Sequence, residues 1–254
     1  MNAVASLVLP LVALAGFARA GAAAAPADSG RFEFHTVREG GAKHRYALWL
    51  PPGYSARGAR WAAILFLHGS GECGDDGEKP TRVGLGPALL AHPERWPYVV
   101  IFPQKPIEDE EWEERERLVF RVLADAGKRA RIDRGRLALV GLSQGGHGVW
   151  MLGARHPERW TCLVPVCGYG RARSVQRRAV KLPVWAFHGL RDDLVNPEDT
   201  RAIVAGLREQ RAKAGLDPAD VHMTLFPDAN HDSWDPAFAS DSLTAWLGEK
   251  LRPR

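Results

Sequence analysis

Short apolar runs recur along this chain, and each one stops at a residue that turns the backbone. Residues 62–67 run into His68-Gly69, 137–140 into Gly141, 162–166 into Cys167-Gly168, and 184–187 into His188-Gly189. Residues 98–102 stop at Pro103, and 221–226 at Pro227-Asp228. Runs this short and this continuous have the pattern of strands buried on both faces, as in a parallel sheet. Helical periodicity occupies intervals between them, at 87–91, 112–126, 145–155, 197–214 and 238–251. Parallel strands need such crossovers. Residues 32–37 and 44–50 read instead as two strands joined by Glu39-Gly40-Gly41-Ala42, whose glycines supply the positive φ of a tight hairpin. The order predicts an α/β fold, a mostly parallel sheet with helices on both faces and an antiparallel hairpin at its start.

A chain of 254 residues, 45% hydrophobic and 25% charged, has enough apolar material for one large core. No repeat, linker or low-complexity segment divides residues 32–251, which read as one domain. No insertion after Cys167 is long enough to form a lid. Acids and bases are interspersed and the formal net charge is only +4, so nucleic acid is not an expected partner. The cluster Arg171, Arg173, Arg177, Arg178 and Lys181 reads as a solvated surface. Residues 4–17 are apolar and small, and Ala18-Arg19-Ala20 follows them. This predicts a signal peptide over 1–20, a flexible tail over 21–31, and a mature N-terminus between Gly21 and Ala27. The n-region carries no Lys or Arg. The run is shorter than the roughly 20 residues a bilayer span needs, so stable membrane insertion is not expected. Cys73, Cys162 and Cys167 cannot form a disulfide framework; Cys73 with Cys167 is the one pairing worth weighing against free thiols.

The chemistry-bearing residues cluster at the ends of the predicted strands. Residues 137–140 lead into Gly141-Leu-Ser143-Gln-Gly145-Gly146 and then straight into a helix. This is G-x-S-x-G in the strand–turn–helix setting that gives the motif its meaning. The tight turn leaves no room for side chains at Gly141 and Gly145. It lifts Ser143 above the sheet edge at a helix N-terminus, where negative charge is favoured. A serine hydroxyl needs a base, and the base needs an orienting acid. Two later strands deliver candidates to the same edge. His188-Gly-Leu-Arg-Asp192-Asp193 follows one, and Pro227-Asp228-Ala-Asn-His231-Asp232 the other. His231 is the expected base and Asp192 its partner; Asp193, then Asp228 and Asp232, are the rival acids.

Oxyanion stabilisation requires N–H groups aimed at the developing charge. Gln144, next to the serine, is expected to give one, and Ser70 the other, with Gly71 as its alternative. The loop carrying Ser70 also spells G-x-G-x-x-G through Gly69, Gly71 and Gly74, a dinucleotide fingerprint. A poor helix start follows it at 75–80, and no acid is placed for a ribose hydroxyl, so no nucleotide cofactor is expected. No H-E-x-x-H or comparable spacing predicts a metal.

Taken in order, His68-Gly-Ser-Gly-Glu72, Phe102-Pro-Gln104, Gly141-Leu-Ser-Gln-Gly-Gly146, His188-Gly-Leu-Arg-Asp192 and His231-Asp-Ser-Trp234 resemble the α/β-hydrolase superfamily. Within it the chain resembles the secreted esterases that include feruloyl esterases, polyhydroxybutyrate depolymerase-like proteins and relatives labelled predicted peptidases. The resemblance covers roughly 32–251 and implies a lidless α/β-hydrolase fold with Ser143, Asp192 and His231 as its triad. Gln144 stands where many relatives have Met, and Cys73 where many have a basic residue. The resulting expectation is a secreted or periplasmic serine esterase acting on small-molecule or carbohydrate-linked esters. Trp112, Tyr169 or Trp234 would offer an aromatic wall to the substrate, with core packing as the alternative for each. A peptidase of the same fold, a non-catalytic binding module and a nucleotide-binding oxidoreductase are the competing readings.

Overall fold

The computed structural model describes residues 29–253. Strands β1 (Arg31–Glu39) and β2 (Ala42–Leu50) pair antiparallel across Gly40 and Gly41, whose φ values are +56° and +83°. Positive φ at both central residues matches the right-handed twist of the flanking strands. The other strands are β3 (Trp61–Leu67), β4 (Val99–Pro103), β5 (Ile132–Leu142), β6 (Cys162–Val166), β7 (Val184–Gly189) and β8 (Val221–Phe226). They complete an eight-stranded sheet in the order β1-β2-β4-β3-β5-β6-β7-β8. From β4 to β8 every pairing is parallel, and β2 meets β4 antiparallel.

Helices α1 (Leu85–Ala91), α6 (Trp234–Phe238) and α7 (Asp241–Lys250) cover one face of the sheet. Helices α2 (Glu116–Arg129), α3 (Gln144–Arg155), α4 (Ala172–Arg178) and α5 (Pro197–Lys213) cover the other. Strand alternation divides the core between them. Ala63, Leu65, Leu137 and Leu139 pack with Val122, Val149 and Ile203, whereas Ile64, Phe66, Ala138 and Val140 pack with Leu89, Phe238 and Leu243. Burial on both faces explains why these strands are continuous apolar runs rather than alternating ones. The fold is the α/β-hydrolase architecture, with the antiparallel hairpin at its start.

Some elements differ from the sequence reading. The helix expected over 112–126 begins at Glu116 and runs to Arg129. The helix expected over 238–251 starts later, as α7 at Asp241, where the Ser240 side chain accepts the Leu243 N–H; Phe238 instead ends the separate helix α6. Helix α4 was not expected; its charged residues hide a short crossover that the parallel β6–β7 pair requires. The thiols of Cys73, Cys162 and Cys167 are free, so Cys73 and Cys167 are not joined. Among the described residues no helix is long and apolar enough to cross a membrane. The expected signal peptide, and all but the end of the expected tail, lie outside the described residues.

Candidate active site

Strand β5 ends in a turn with little freedom. A Cβ on Gly141 would come within 2.6 Å of the Gly145 carbonyl, and one on Gly145 within 2.0 Å of the Leu67 carbonyl. Between these glycines Ser143 takes φ +54° and ψ −119°, a region L-residues rarely occupy. Its N–H donates to the Val166 carbonyl at 2.9 Å, which ties the turn to β6. Its hydroxyl stands at the start of α3.

Strand β7 ends at Gly189, and the chain folds Asp192 back over the sheet edge. The side chain of Asp192 is fully buried. Its Oδ1 accepts the N–H groups of Leu194 and Val195 at 3.0 and 2.9 Å. Its Oδ2 lies 2.8 Å from His231 Nδ1 and 3.0 Å from His188 Nε2. His231 Nε2 lies 2.8 Å from Ser143 Oγ. Burial alone would push the Asp192 carboxyl up. The Val195 N–H, His231 and the Leu194 N–H together outweigh it and hold the group below its ordinary value, hence ionised. The rival acids lie elsewhere: Asp193 and Asp232 are exposed, and Asp228 pairs with Arg191 at the surface.

Several buried groups with no role assigned from the sequence shape this edge. His188 Nε2 faces only acceptors, the Asp192 carboxylate and the Val195 carbonyl at 3.1 Å, so it carries a proton. Burial lowers the pKa of His188, and its Nδ1 lies 2.8 Å from the Thr200 hydroxyl, whose oxygen is also 3.1 Å from the Gly168 carbonyl. His68, at the end of β3, donates from Nδ1 to the Gly69 carbonyl at 2.6 Å and accepts the Lys105 N–H at Nε2 at 3.0 Å. Complete burial, aided by nearby Lys105, lowers its pKa to about 3 and keeps it neutral. Lys105 is fully buried, its ammonium held by the carbonyls of Ile107, Glu108 and Glu110. The hint in the sequence is that β3 runs into His68-Gly69 and β7 ends in His188-Gly189.

Ser70 opens a short 3-10 turn and Gln144 opens α3, so the backbone N–H of each has no partner within its own helix. Both residues line a cleft of about 410 Å³ with Ser143, His231, Tyr169, Leu194, Val195 and Trp234. The Gln144 amide turns aside and donates to the Glu108 carbonyl at 2.9 Å. Tyr169 and Trp234 thus border the cleft, and Trp234 meets the His231 ring edge to face at 5.6 Å. Trp112 does not. It is fully buried beneath the cleft, packed on His68, and its indole N–H donates to the His68 carbonyl at 3.0 Å. The expectation that it contacts substrate is therefore corrected, because a ring with its polar atom engaged in the core has no face left for a ligand.

No family model matches the chain, and no curated protein matches it. Solved structures do. A thermostable esterase is similar with a TM-score of 0.74 and 26% identity over 87% of this chain. The chain spans 63% of the length of that esterase. The feruloyl esterase module from Clostridium thermocellum, complexed with sinapinate, gives 0.70 and 15% identity over 91% of this chain and 92% of the module. An S-formylglutathione hydrolase from Agrobacterium tumefaciens gives 0.63 and 17% over 90% of this chain and 98% of that one. The chain has the α/β-hydrolase fold, in common with these esterases and hydrolases.

Proposed function

We propose that this chain is an exported serine hydrolase that cleaves carboxylic esters through an acyl-enzyme. The observation that carries the reading is one hydrogen-bonded row: Asp192 Oδ2, His231 and Ser143 Oγ, with both links at 2.8 Å. In this scheme the Ser143 oxygen attacks the ester carbonyl while its proton passes to His231 Nε2. The Gln144 N–H and the Ser70 N–H hold the oxyanion. His231 then protonates the leaving alcohol. Water attacks the acyl-enzyme, gives its proton to His231, and the acid departs as Ser143 recovers its hydrogen. Asp192 keeps the imidazole in the tautomer with hydrogen on Nδ1.

The cleft wall of Tyr169, Trp234, Leu194 and Val195 favours an ester with an aromatic or apolar group on one side, free or carried on a carbohydrate. The sinapinate complex of the feruloyl esterase module agrees with that chemistry. Export rests on the apolar segment 4–17 and Ala18-Arg19-Ala20, and mass spectrometry of secreted protein should find an N-terminus between Gly21 and Ala27.

The test is labelling with a fluorophosphonate, together with hydrolysis of an aryl ester and of the matching anilide. The label should fall on Ser143, the ester should be cleaved far faster than the anilide, and Ser143→Ala should lose several orders of magnitude in kcat. Only the roughly 10³–10⁴-fold that such sites retain over water should remain. Near wild-type turnover in Ser143→Ala would remove the mechanism. Comparable rates on ester and anilide would make the protein a peptidase.

A further inference from the structure

Beside Tyr169, two carboxylates and an imidazole converge. Glu111 and Glu113 lie in the strap before α2, and His147 lies one helical turn past Ser143 on α3. The side chains of His147 and Glu113 are each 7% exposed. His147 Nδ1 is 3.0 Å from the Tyr169 carbonyl, which can only accept, so the Nδ1 proton is committed there. Nε2 then faces oxygens alone, 3.2 Å from Glu113 and 3.9 Å from Glu111.

The charges around that point do not balance. Glu111 Oε2 and Glu113 Oε2 are both shut off from solvent, and neither receives a hydrogen bond. The Arg155 guanidinium is turned elsewhere, donating to the Glu113 carbonyl and to the Glu116 carboxylate. Tyr169 donates its hydroxyl to the other Glu111 oxygen at 2.6 Å. A single imidazole N–H can serve one carboxylate, so Glu111 Oε2, closed off from solvent although the residue is partly exposed, is left without a donor.

We propose that Glu111, Glu113 and His147 form a divalent-metal site suited to Zn²⁺. The potential ligand atoms lie within 4.8 Å of one another. Tetrahedral zinc with bonds of about 2.0–2.2 Å sets its ligands roughly 3.3–3.5 Å apart, and the separations of 3.2 and 3.9 Å bracket that spacing. Imidazole with carboxylates is a donor set zinc accepts, whereas Ca²⁺ and Mg²⁺ prefer oxygen throughout. The surroundings fit a metal-binding imidazole: its other nitrogen donates to a carbonyl, and the Tyr169 hydroxyl orients Glu111. Glu111, 30% exposed at its side chain, gives the ion a path from solvent. The ion would tie the strap to α3 and fix Tyr169, one wall of the cleft, without touching Ser143. The proposal does not depend on the hydrolase reading.

The protein, stripped with EDTA, is loaded with Zn²⁺, dialysed against metal-free buffer and assayed for metal by mass spectrometry, with thermal melting alongside. One zinc per chain and a raised Tm are expected. Glu113→Gln and His147→Gln should lose the zinc and the rise in Tm, and Tyr169→Phe should weaken binding by about tenfold or more. If the two buried variants fail to fold, Glu111→Gln, at the open side, serves the same purpose and should also lose the ion. Wild-type protein that keeps no zinc overturns the proposal, as does zinc retained equally in the foldable ligand variants.

Discussion

Asp192 accepts from Leu194, Val195, His188 and His231, and two of those donors approach the oxygen that orients His231. An amide at this position must point a nitrogen at one set of donors. Asp192→Asn therefore either repels the Leu194 and Val195 N–H groups or leaves His231 in the wrong tautomer. We expect a loss of roughly 10⁴ in kcat, as in the serine-protease case. Asp193→Asn, one residue on and exposed, should keep wild-type kcat/KM on an activated aryl ester near pH 8. The backbone of Ser143 makes a second expectation. Its φ of +54° costs an L-residue about 1–3 kcal/mol, which glycine does not incur. Urea unfolding should show Ser143→Gly more stable than Ser143→Ala by about 1 kcal/mol, although neither is active; equal midpoints would contradict stored strain. Ser143 and His231 were legible because their motifs fix both residue type and position on a strand end. Asp192 was legible only as one of several carboxylates, since loop spacing does not tell which of two neighbouring aspartates folds inward. For Trp112 the sequence left substrate contact and core packing both open, and only the fold shows that its N–H serves the His68 carbonyl in the core.

At the scale of elements, the site depends on how closely two loops approach. Gly189 ends β7 directly against the loop that carries His231. A Cβ there would lie 2.2 Å from the Asn230 carbonyl and 2.4 Å from that of Ala229, and backbone cannot yield as a flexible side chain can. Gly189→Ala should push the His231 loop outward. A shift of about 1 Å at reacting groups costs on the order of 10²-fold, so kcat/KM should fall by about that much while circular dichroism still reports a folded chain. Gly71→Ala is the control for stability, because nothing lies within 4 Å of the added methyl, and its Tm should match wild type. Unchanged activity in Gly189→Ala would mean that the loop's position is set elsewhere. The strands were readable because burial on both faces leaves an unbroken apolar signature. Helix α4 was not, since seven residues rich in arginine carry too little periodicity.

Across the whole molecule, the sheet brings together histidines that sequence spacing keeps apart. His68 and Lys105 meet under the cleft, and His147 meets Glu113 although 34 positions separate them. No local pattern records such pairs, which is why the buried polar groups were the least legible part of this chain. They also set its response to acid. His68 is wholly buried as a neutral ring, with a pKa lowered from 6.5 to about 3. Between those values the unfolded chain binds a proton that the folded chain does not, so stability falls as pH falls, by about 1.4 kcal/mol per pH unit for this group. Above pH 6.5 both states leave the ring neutral and the group contributes no slope. His188, lowered chiefly by burial, acts in the same direction. Urea midpoints measured from pH 7.5 down to pH 4.5 should therefore hold level to about pH 6.5 and drop below it through these two rings. His68→Gln replaces the ring with an amide that does not titrate. Its stability should be lower at neutral pH, where hydrogen bonds to Gly69 and Lys105 are disturbed, yet its decline with acid should be shallower by close to one proton's worth. Parallel declines in the two proteins would show that His68 is charged in the folded state, and the account of a neutral imidazole bracing the loop that presents Ser70 would fail.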